Sequence, residues 1–138
     1  MVYSHTISIN SKKELDMIKV TEEVRGALDR SKIKNGIVTV FIPGATGAVT
    51  VIEYEKGLLK DFADALERVA PKNINYAHHD KGDDENGRSH VKASLIGPSI
   101  TVPFKNGKLI MGIWQEIVFV ELDARPRERQ IIVQIIGE

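Results

Sequence analysis

The six residues from Ile37 to Ile42, with the sequence IVTVFI, constrain the fold more than any other segment. They are nearly all apolar and mostly β-branched, and Pro43-Gly44 follows them directly. A short apolar run with these boundaries predicts a central strand that is covered on both faces. Other elements must therefore pack on both sides of this strand.

The spacing of apolar residues predicts the other elements. Residues 2–10 alternate between apolar and polar, which is typical of a strand with one solvated face. Helical spacing begins at Thr21 and ends before Asn35-Gly36, and it recurs over residues 58–69. Further strands are predicted over 49–54, 91–95, 99–104, 109–122 and 130–136, with Asn106-Gly107 as a hairpin turn. Two helices against mostly antiparallel strands predict one compact α+β domain over residues 1–138.

Composition excludes several classes of protein. The 19 basic residues balance the 19 acidic ones, so the chain has no net positive charge that would attract a nucleic acid or an anionic membrane. The absence of cysteine excludes disulfides and thiolate zinc sites. No run approaches the roughly 20 apolar residues of a membrane span, and the first residues do not read as a signal peptide. We therefore expect a cytoplasmic protein.

The most informative polar segment covers residues 72–89, which have no apolar periodicity and contain His78 and His79, with His90 just beyond. If this loop folds back, His79 and His90 meet, and Glu53 at the end of its own strand completes a two-histidine, one-carboxylate metal site. Such a site favours zinc or another imidazole-binding metal over magnesium. The alternative is a solvated loop. His78 is interpreted as a bystander.

Two further segments could contact phosphate. The small residues from Gly44 to Ala48 could expose backbone N–H groups to an anion, with Thr46 adding a hydroxyl, or could form a simple tight turn. Arg125, Arg127 and Arg129 alternate, so in an extended segment they would project the same way, toward a phosphate or an acidic neighbour. The alternative is an exposed connection kept soluble by charge.

A longer pattern resembles a known family. It combines residues 86–99 (NGRSHVKASLIGPS), residues 102–104 (VPF) and residues 112–115 (GIWQ). Together they are similar to the YjbQ-type family, also called secondary thiamine-phosphate synthase. The resemblance implies an α+β fold and a homotrimer. It also implies that the recurrent polar positions are Glu53, His79, Asp84, Asn86 and His90. Two departures are Ile113, where many members have threonine, and Arg88, where many have histidine.

This resemblance implies a possible transferase with weak or secondary thiamine-phosphate synthase-like activity, which joins a pyrimidine methyl diphosphate to a thiazole phosphate and releases pyrophosphate. The expected catalytic residues are Glu53, His79, Asp84 and His90, and a divalent metal would be held by His79, His90 and Glu53. Substrate would meet Thr46, Asn86, Arg125 and Arg127. One alternative is a non-catalytic trimer that binds a metal or a phosphorylated metabolite, and another is a structural protein whose histidines are incidental.

Overall fold

A computed structural model describes residues 1–81 and 85–138, and these contain two antiparallel sheets and three α-helices. The helices are α1 (Thr21–Ser31), α2 (Lys56–Val69) and α3 (Gly87–Ile96), and a 3₁₀ helix spans Ala77–Lys81. The strands are β1 (Val2–Asn10), β2 (Met17–Lys19), β3 (Gly36–Phe41), β4 (Gly47–Ile52), β5 (Ser99–Lys105), β6 (Lys108–Leu109), β7 (Glu116–Glu121) and β8 (Glu128–Gly137).

The two sheets form adjacent layers, and α2 and α3 form a third. The five-stranded sheet has the order β1-β8-β3-β5-β6 and the three-stranded sheet has the order β2-β7-β4. Alternate residues of β7 face different layers. Ile117 and Phe119 pack with the core of the larger sheet, whereas Val118 and Val120 pack with residues of α2 and α3. The strand that is covered on both faces is therefore β7.

The prediction for the IVTVFI run is half correct. The run forms β3, which lies in the middle of the five-stranded sheet between β8 and β5. Val38 and Val40 are fully buried, but Ile37 and Phe41 on the other face are 43% and 40% exposed. Coverage of both faces was therefore wrong for β3, because the outer face of the larger sheet is left open at these positions.

The strand predicted for residues 91–95 is wrong, because the chain forms α3 there, so that the described residues contain three α-helices instead of two. The alternation of Val91, Ala93 and Leu95 with polar residues suggested a strand. In the helix, Ala93 is buried, whereas Val91 and Leu95 are exposed. Gly97, with a φ of 101°, follows the helix at the position where glycine commonly ends one. Packing against β4 and α2 thus overrides the local alternation.

The long strand predicted for residues 109–122 is also wrong, because it is broken in the middle. The backbone N–H of Gly112 donates to the side-chain oxygen of Gln115, 2.7 Å away, and the N–H of Gln115 donates back to the Gly112 carbonyl. This tight turn separates β6 from β7. Ile113 and Trp114 therefore lie in the turn and not in the middle of a strand, and they are 86% and 67% exposed.

Other predictions are confirmed. Residues 2–10 form β1 along one edge of the larger sheet, and their pairing with β8 is antiparallel. Asn106 and Gly107 both have positive φ and join β5 to β6, as expected of a two-residue hairpin turn. The α+β class is confirmed. No helix in the described parts of the chain is long and apolar enough to cross a membrane.

Candidate functional site

A cavity of about 550 Å³ opens where four segments of the chain meet. These segments are the turn after β3, the connection after α2, the beginning of α3 and the connection between β7 and β8. We call this cavity the basin. The residues that line it are Gly44, Ala45, Thr46, Lys72, Glu85, Asn86, Arg88, His90, Asp123, Ala124, Arg125, Arg127 and Arg129. All four residues predicted to bind substrate, Thr46, Asn86, Arg125 and Arg127, are among them.

A buried ion pair between Glu121 and Arg129 forms the floor of the basin. The Nε atom of Arg129 donates to Oε1 of Glu121 at 3.0 Å, and Nη2 donates to Oε2. The side chain of Glu121 is fully buried and that of Arg129 is nearly so. The hydroxyl of Ser11 donates to Oε1 of Glu121 at 2.7 Å. The pair is therefore bidentate and supported by Ser11, the residue after β1, and it joins the end of β7 to the beginning of β8.

Thr46 and Asp123 extend this floor toward the turn after β3. Oγ1 of Thr46 donates to Oδ2 of Asp123 at 3.2 Å and accepts from Nη2 of Arg129 at 3.0 Å. Both hydrogen-bonding functions of the hydroxyl are thus used within the protein. Thr46 holds the floor together, and its hydroxyl would have to release Asp123 before it could donate to a phosphate.

The carboxyl of Asp123 is ionised by its neighbours. Burial alone would raise its pKa, but three donors outweigh that effect: the backbone N–H of Ala124 at 2.7 Å, the guanidinium of Arg127 and the hydroxyl of Thr46. Together they lower the pKa of Asp123 below its usual value. Asp123 is therefore a fixed anion whose charge is balanced by Arg127.

The three alternating arginines line the same basin but have different surroundings. Arg125 is exposed, Arg127 is paired with Asp123, and Arg129 is buried against Glu121. The extended conformation in which all three would project the same way is not formed, because residues 123–125 form a bend and β8 begins only at Glu128. Only Arg125 lacks a carboxylate partner among the described residues.

Arg88 clamps the beginning of α3 to the loop before β2. Its Nε and Nη2 atoms donate to the two carboxylate oxygens of Glu14 at 2.7 and 2.9 Å, and Nη1 donates to the carbonyl of Glu85. The hydrogen bond to Glu14 raises the pKa of Arg88 further, although burial opposes this. Arg88 is therefore a structural clamp.

The three histidines of this region have different neighbours. Nε2 of His79 accepts a hydrogen bond from the backbone N–H of Gly87 at 3.0 Å, so the neutral ring carries its proton on Nδ1. His90 lines the basin, and its ring lies 4.7 Å from the ring of His78, measured between centroids. The residue interpreted as a bystander is thus the neighbour of His90.

His79 lines a second cavity of about 420 Å³, which shares Lys72, Glu85 and Arg88 with the basin. Sequence spacing cannot distinguish His78 from His79. The N-terminus of α3 distinguishes them. The side chain of Asn86 makes no capping bond there, so the N–H of Gly87 needs another acceptor, and His79 provides it.

Glu53 lies elsewhere. It is exposed in a separate groove together with Tyr54 and Trp114. Within residues 1–81 and 85–138, no group of three or more histidine and carboxylate side chains could hold a metal ion. Asp84 lies outside the described residues. The described residues therefore do not assemble His79, His90 and Glu53 into one ligand set, and a divalent metal stays a prediction.

Sequence reasoning missed four residues that shape the site: Ser11, Glu14, Lys72 and Glu121. Ser11 and Glu14 lie far along the chain from the segments that the motifs highlighted, whereas Lys72 begins the polar segment 72–89 and Glu121 lies four residues before Arg125. Glu121 alone had a local signal, since a carboxylate at the end of an apolar strand needs a partner when it is buried. The other three become visible only when the fold brings them to the basin or to its supports.

Comparisons with known proteins agree with this architecture. The model of a family described as UPF0047 protein YjbQ-like matches residues 5–138. A UPF0047 protein of Methanothermobacter thermautotrophicus is 39% identical over 99% of this chain and 94% of its own length. The UPF0047 protein YugU of Bacillus subtilis is 32% identical over 96% of this chain and 98% of its own.

A solved structure of a YbjQ-like protein of unknown function from Sulfolobus solfataricus superposes with a TM-score of 0.95 at 32% identity, covering 100% of this chain and 99% of that one. An uncharacterized protein of the yjbq/upf0047 family from Clostridium acetobutylicum gives 0.87 at 33% identity, covering 96% and 99%.

Proposed function

This chain belongs to the YjbQ-like UPF0047 family, and from that premise we propose that its basin binds a small phosphorylated metabolite. One observation carries the proposal. Lys72 and Arg125 line the basin, and neither has a carboxylate partner among residues 1–81 and 85–138. Two cations that share a cavity are suited to a dianionic phosphate.

The other cations of the basin are already neutralised within the protein. Arg88 is paired with Glu14, Arg127 with Asp123 and Arg129 with Glu121. These pairs fix the walls and the floor and add little net charge. The attraction for an anion therefore comes from Lys72 and Arg125, which are both exposed at the surface before a ligand binds.

His90 is the candidate for proton transfer in the basin. It is only partly buried, and no hydrogen bond to a described residue engages its ring. Imidazoles exchange protons near neutral pH and serve as general acids or bases. If the protein is an enzyme, we expect His90 to hold or release the proton of a group next to the phosphate. If it is a binder without turnover, the same residues bind the ligand and His90 has no catalytic role.

A thiamine-phosphate synthase-like transfer is the more specific candidate. The basin and the second cavity share Lys72, Glu85 and Arg88, so two phosphate-bearing substrates could lie side by side. In this reaction the bond between the methylene carbon and the diphosphate oxygen of a pyrimidine methyl diphosphate breaks. The ring nitrogen of a thiazole phosphate forms a bond to that carbon, and pyrophosphate leaves. Pyrophosphate release from the two substrates, measured with His90→Ala as the comparison, tests this candidate.

Calorimetric titration with inorganic phosphate and with glycerol 3-phosphate tests the binding proposal. Arg125→Ala and Lys72→Ala should each weaken binding by about tenfold or more, which is the loss of one charge-assisted contact. The matched controls are Arg68→Ala and Lys105→Ala, because these cations are exposed on α2 and β5, away from the basin. Equal losses in the controls, or no saturable binding by the wild type, would contradict the proposal.

We also propose that the protein is a homotrimer and that it is located in the cytoplasm. The turn between β6 and β7 supports an assembly, since Ile110, Ile113 and Trp114 are all exposed there. Exposed apolar clusters of this kind commonly mark contacts between subunits. Light scattering of the wild type and of Trp114→Ser tests it. We expect the mass of three chains for the wild type and a lower mass for the variant.

A further inference from the structure

We propose that the ligand of the basin is a phosphate ester of a sugar or another polyol, with hydroxyl groups on a non-aromatic carbon skeleton. This inference rests on the proposed binding of a phosphorylated metabolite and names its substrate class. It favours that binding over the thiamine-phosphate synthase-like transfer, because both substrates of that transfer are heteroaromatic. It follows from the part of the basin that does not contact the phosphate. The volume of about 550 Å³ lies within the usual range for small-molecule sites.

The lining offers almost no surface to an apolar or aromatic group. Among the described residues, its only ring is the imidazole of His90, and its aliphatic residues are no larger than Ala45 and Ala124. Sites for drug-like or heteroaromatic ligands are usually lined by hydrophobic and aromatic side chains. The aromatic side chains of Tyr54 and Trp114 line a different groove. The body of the ligand is therefore hydrophilic.

The basin also contains acceptors that a phosphate cannot satisfy. Glu85 lines the basin, and its carboxylate has no cationic partner among the described residues. It would repel a phosphate placed against it. Asn86 lies beside it at the beginning of α3 with only 9% exposure, and its solvent-inaccessible Oδ1 atom has no hydrogen-bond partner among the described residues. Leaving a buried acceptor unpaired is costly, so a rotation of the amide that lets a ligand hydroxyl donate to Oδ1 gains affinity.

Hydroxyl groups are the donors that fit best. A ligand ammonium would also donate, but it would have to bind among the unpaired cations Lys72 and Arg125. Glu85 and Asn86 belong to the beginning of α3, whereas Arg125 belongs to the connection between β7 and β8. A ligand that spans the basin can therefore place its phosphate toward Arg125 and its hydroxyls toward α3.

Calorimetry with matched ligands tests the substrate class. Glycerol 3-phosphate and n-propyl phosphate have the same number of carbons and the same phosphate, and differ in two hydroxyls. We expect glycerol 3-phosphate to bind at least about tenfold more tightly, because sites built to bond a hydroxyl reject analogues that lack it. Phenyl phosphate and O-phosphoethanolamine should bind no better than n-propyl phosphate.

Two variants locate the hydroxyl contacts. Glu85→Gln should reduce the preference for glycerol 3-phosphate while leaving n-propyl phosphate binding unchanged or tighter, since a repulsive charge is removed. Asn86→Ala should reduce the preference for glycerol 3-phosphate without weakening the binding of n-propyl phosphate. Glu23→Gln, on the exposed side of α1, is the control and should change neither affinity.

The outcomes separate this inference from the proposed function. If both esters bind with equal affinity, or if phenyl phosphate or O-phosphoethanolamine binds more tightly than glycerol 3-phosphate, the polyol class is wrong and phosphate binding stands. If no ester and no inorganic phosphate binds, both proposals are wrong. A tenfold preference that Glu85→Gln and Asn86→Ala erase would support both.

Discussion

The Nε2 atom of His79 lies 3.0 Å from the backbone nitrogen of Gly87 and accepts its hydrogen bond. This contact joins the 3₁₀ helix to the first residue of α3. It replaces the capping bond that the side chain of Asn86 does not make. Since α3 carries Asn86 and His90 into the basin, His79 acts on the site through the position of this helix.

Replacing His79 should therefore affect stability in a way that depends on the acceptor. His79→Ala should lower the free energy of unfolding by about 1 kcal/mol, as expected for the loss of a helix cap. His79→Gln should retain most of this stability, because the side-chain oxygen of glutamine can reach the position of Nε2 and accept the same hydrogen bond. Urea unfolding of both variants measures this. Equal losses would mean that the ring, and not the hydrogen bond, holds the helix.

Gly87 should not tolerate a side chain. A Cβ atom there would lie 2.6 Å from Cβ and 2.7 Å from Cγ of Tyr76, so α3 and the segment before the 3₁₀ helix would have to separate. We expect Gly87→Ala to destabilise the protein by about 1–3 kcal/mol. Gly26→Ala in α1 is the control, because there the new Cβ meets only the flexible end of Arg30, at 3.2 Å. Helix propensity should make Gly26→Ala neutral or stabilising. A milder effect at Gly87 than at Gly26 would contradict the predicted clash.

The ion pair of Glu121 and Arg129 should show strong coupling. Glu121→Leu or Arg129→Met alone leaves a buried charge without its partner, which costs about 3–5 kcal/mol. The double variant removes both charges, and we expect it to lose clearly less than the sum of the single losses. Chemical unfolding of the wild type, the two single variants and the double variant completes this double-mutant cycle. Additive losses would show that the two groups are stabilised independently.

Asp123 should make stability depend on pH in acid. Since its pKa is lowered in the folded protein, its ionised form stabilises the fold at pH values above the ordinary carboxyl value of about 3.9. That contribution is lost as the pH falls through the lower value of the folded state. The stability difference between the wild type and Asp123→Asn should therefore shrink below about pH 4. A difference that is constant from pH 7 to pH 3 would contradict this.

Lys92 should be replaceable by an apolar residue. Its side chain is fully buried in α3, its Nζ has no hydrogen-bond partner among the described residues, and the nearest carboxylate oxygen, on Glu67, is 3.6 Å away. Glu67 is half exposed and stays solvated without its partner. We expect Lys92→Met to raise the free energy of unfolding by about 1 kcal/mol, and Glu67→Gln to lower it. Thermal unfolding measures both changes, and a marked loss in Lys92→Met would contradict the expectation.

Local patterns were sufficient where one face or one turn decides the structure. The alternation in β1 and the Asn106-Gly107 hairpin are both set by nearest neighbours, and both were predicted correctly. The prediction for residues 91–95 failed because the alternation of Val91, Ala93 and Leu95 with polar residues suits a strand. In the fold, burial of Lys92 and Ala93 against other elements selects a helix instead. That choice depends on tertiary contacts that no local window contains.

The candidate site could be predicted only in part for the same reason. Thr46, Arg125 and Arg127 were identified by residue type and Asn86 by the family resemblance, and all four line one cavity. Which of them are free to meet a ligand depends on partners such as Asp123, which engages the side chains of both Thr46 and Arg127. The choice between His78 and His79 depends on how the 3₁₀ helix turns two consecutive side chains toward different neighbours.

The most direct test is an NMR titration of the ¹⁵N-labelled protein with glycerol 3-phosphate, which follows the backbone amide signals of the whole chain. We predict saturable shifts concentrated at residues 44–46, 85–90 and 123–127, with the signals of Tyr54 and Trp114 unchanged. The absence of saturable shifts, or shifts concentrated in the groove around Trp114, would contradict the account.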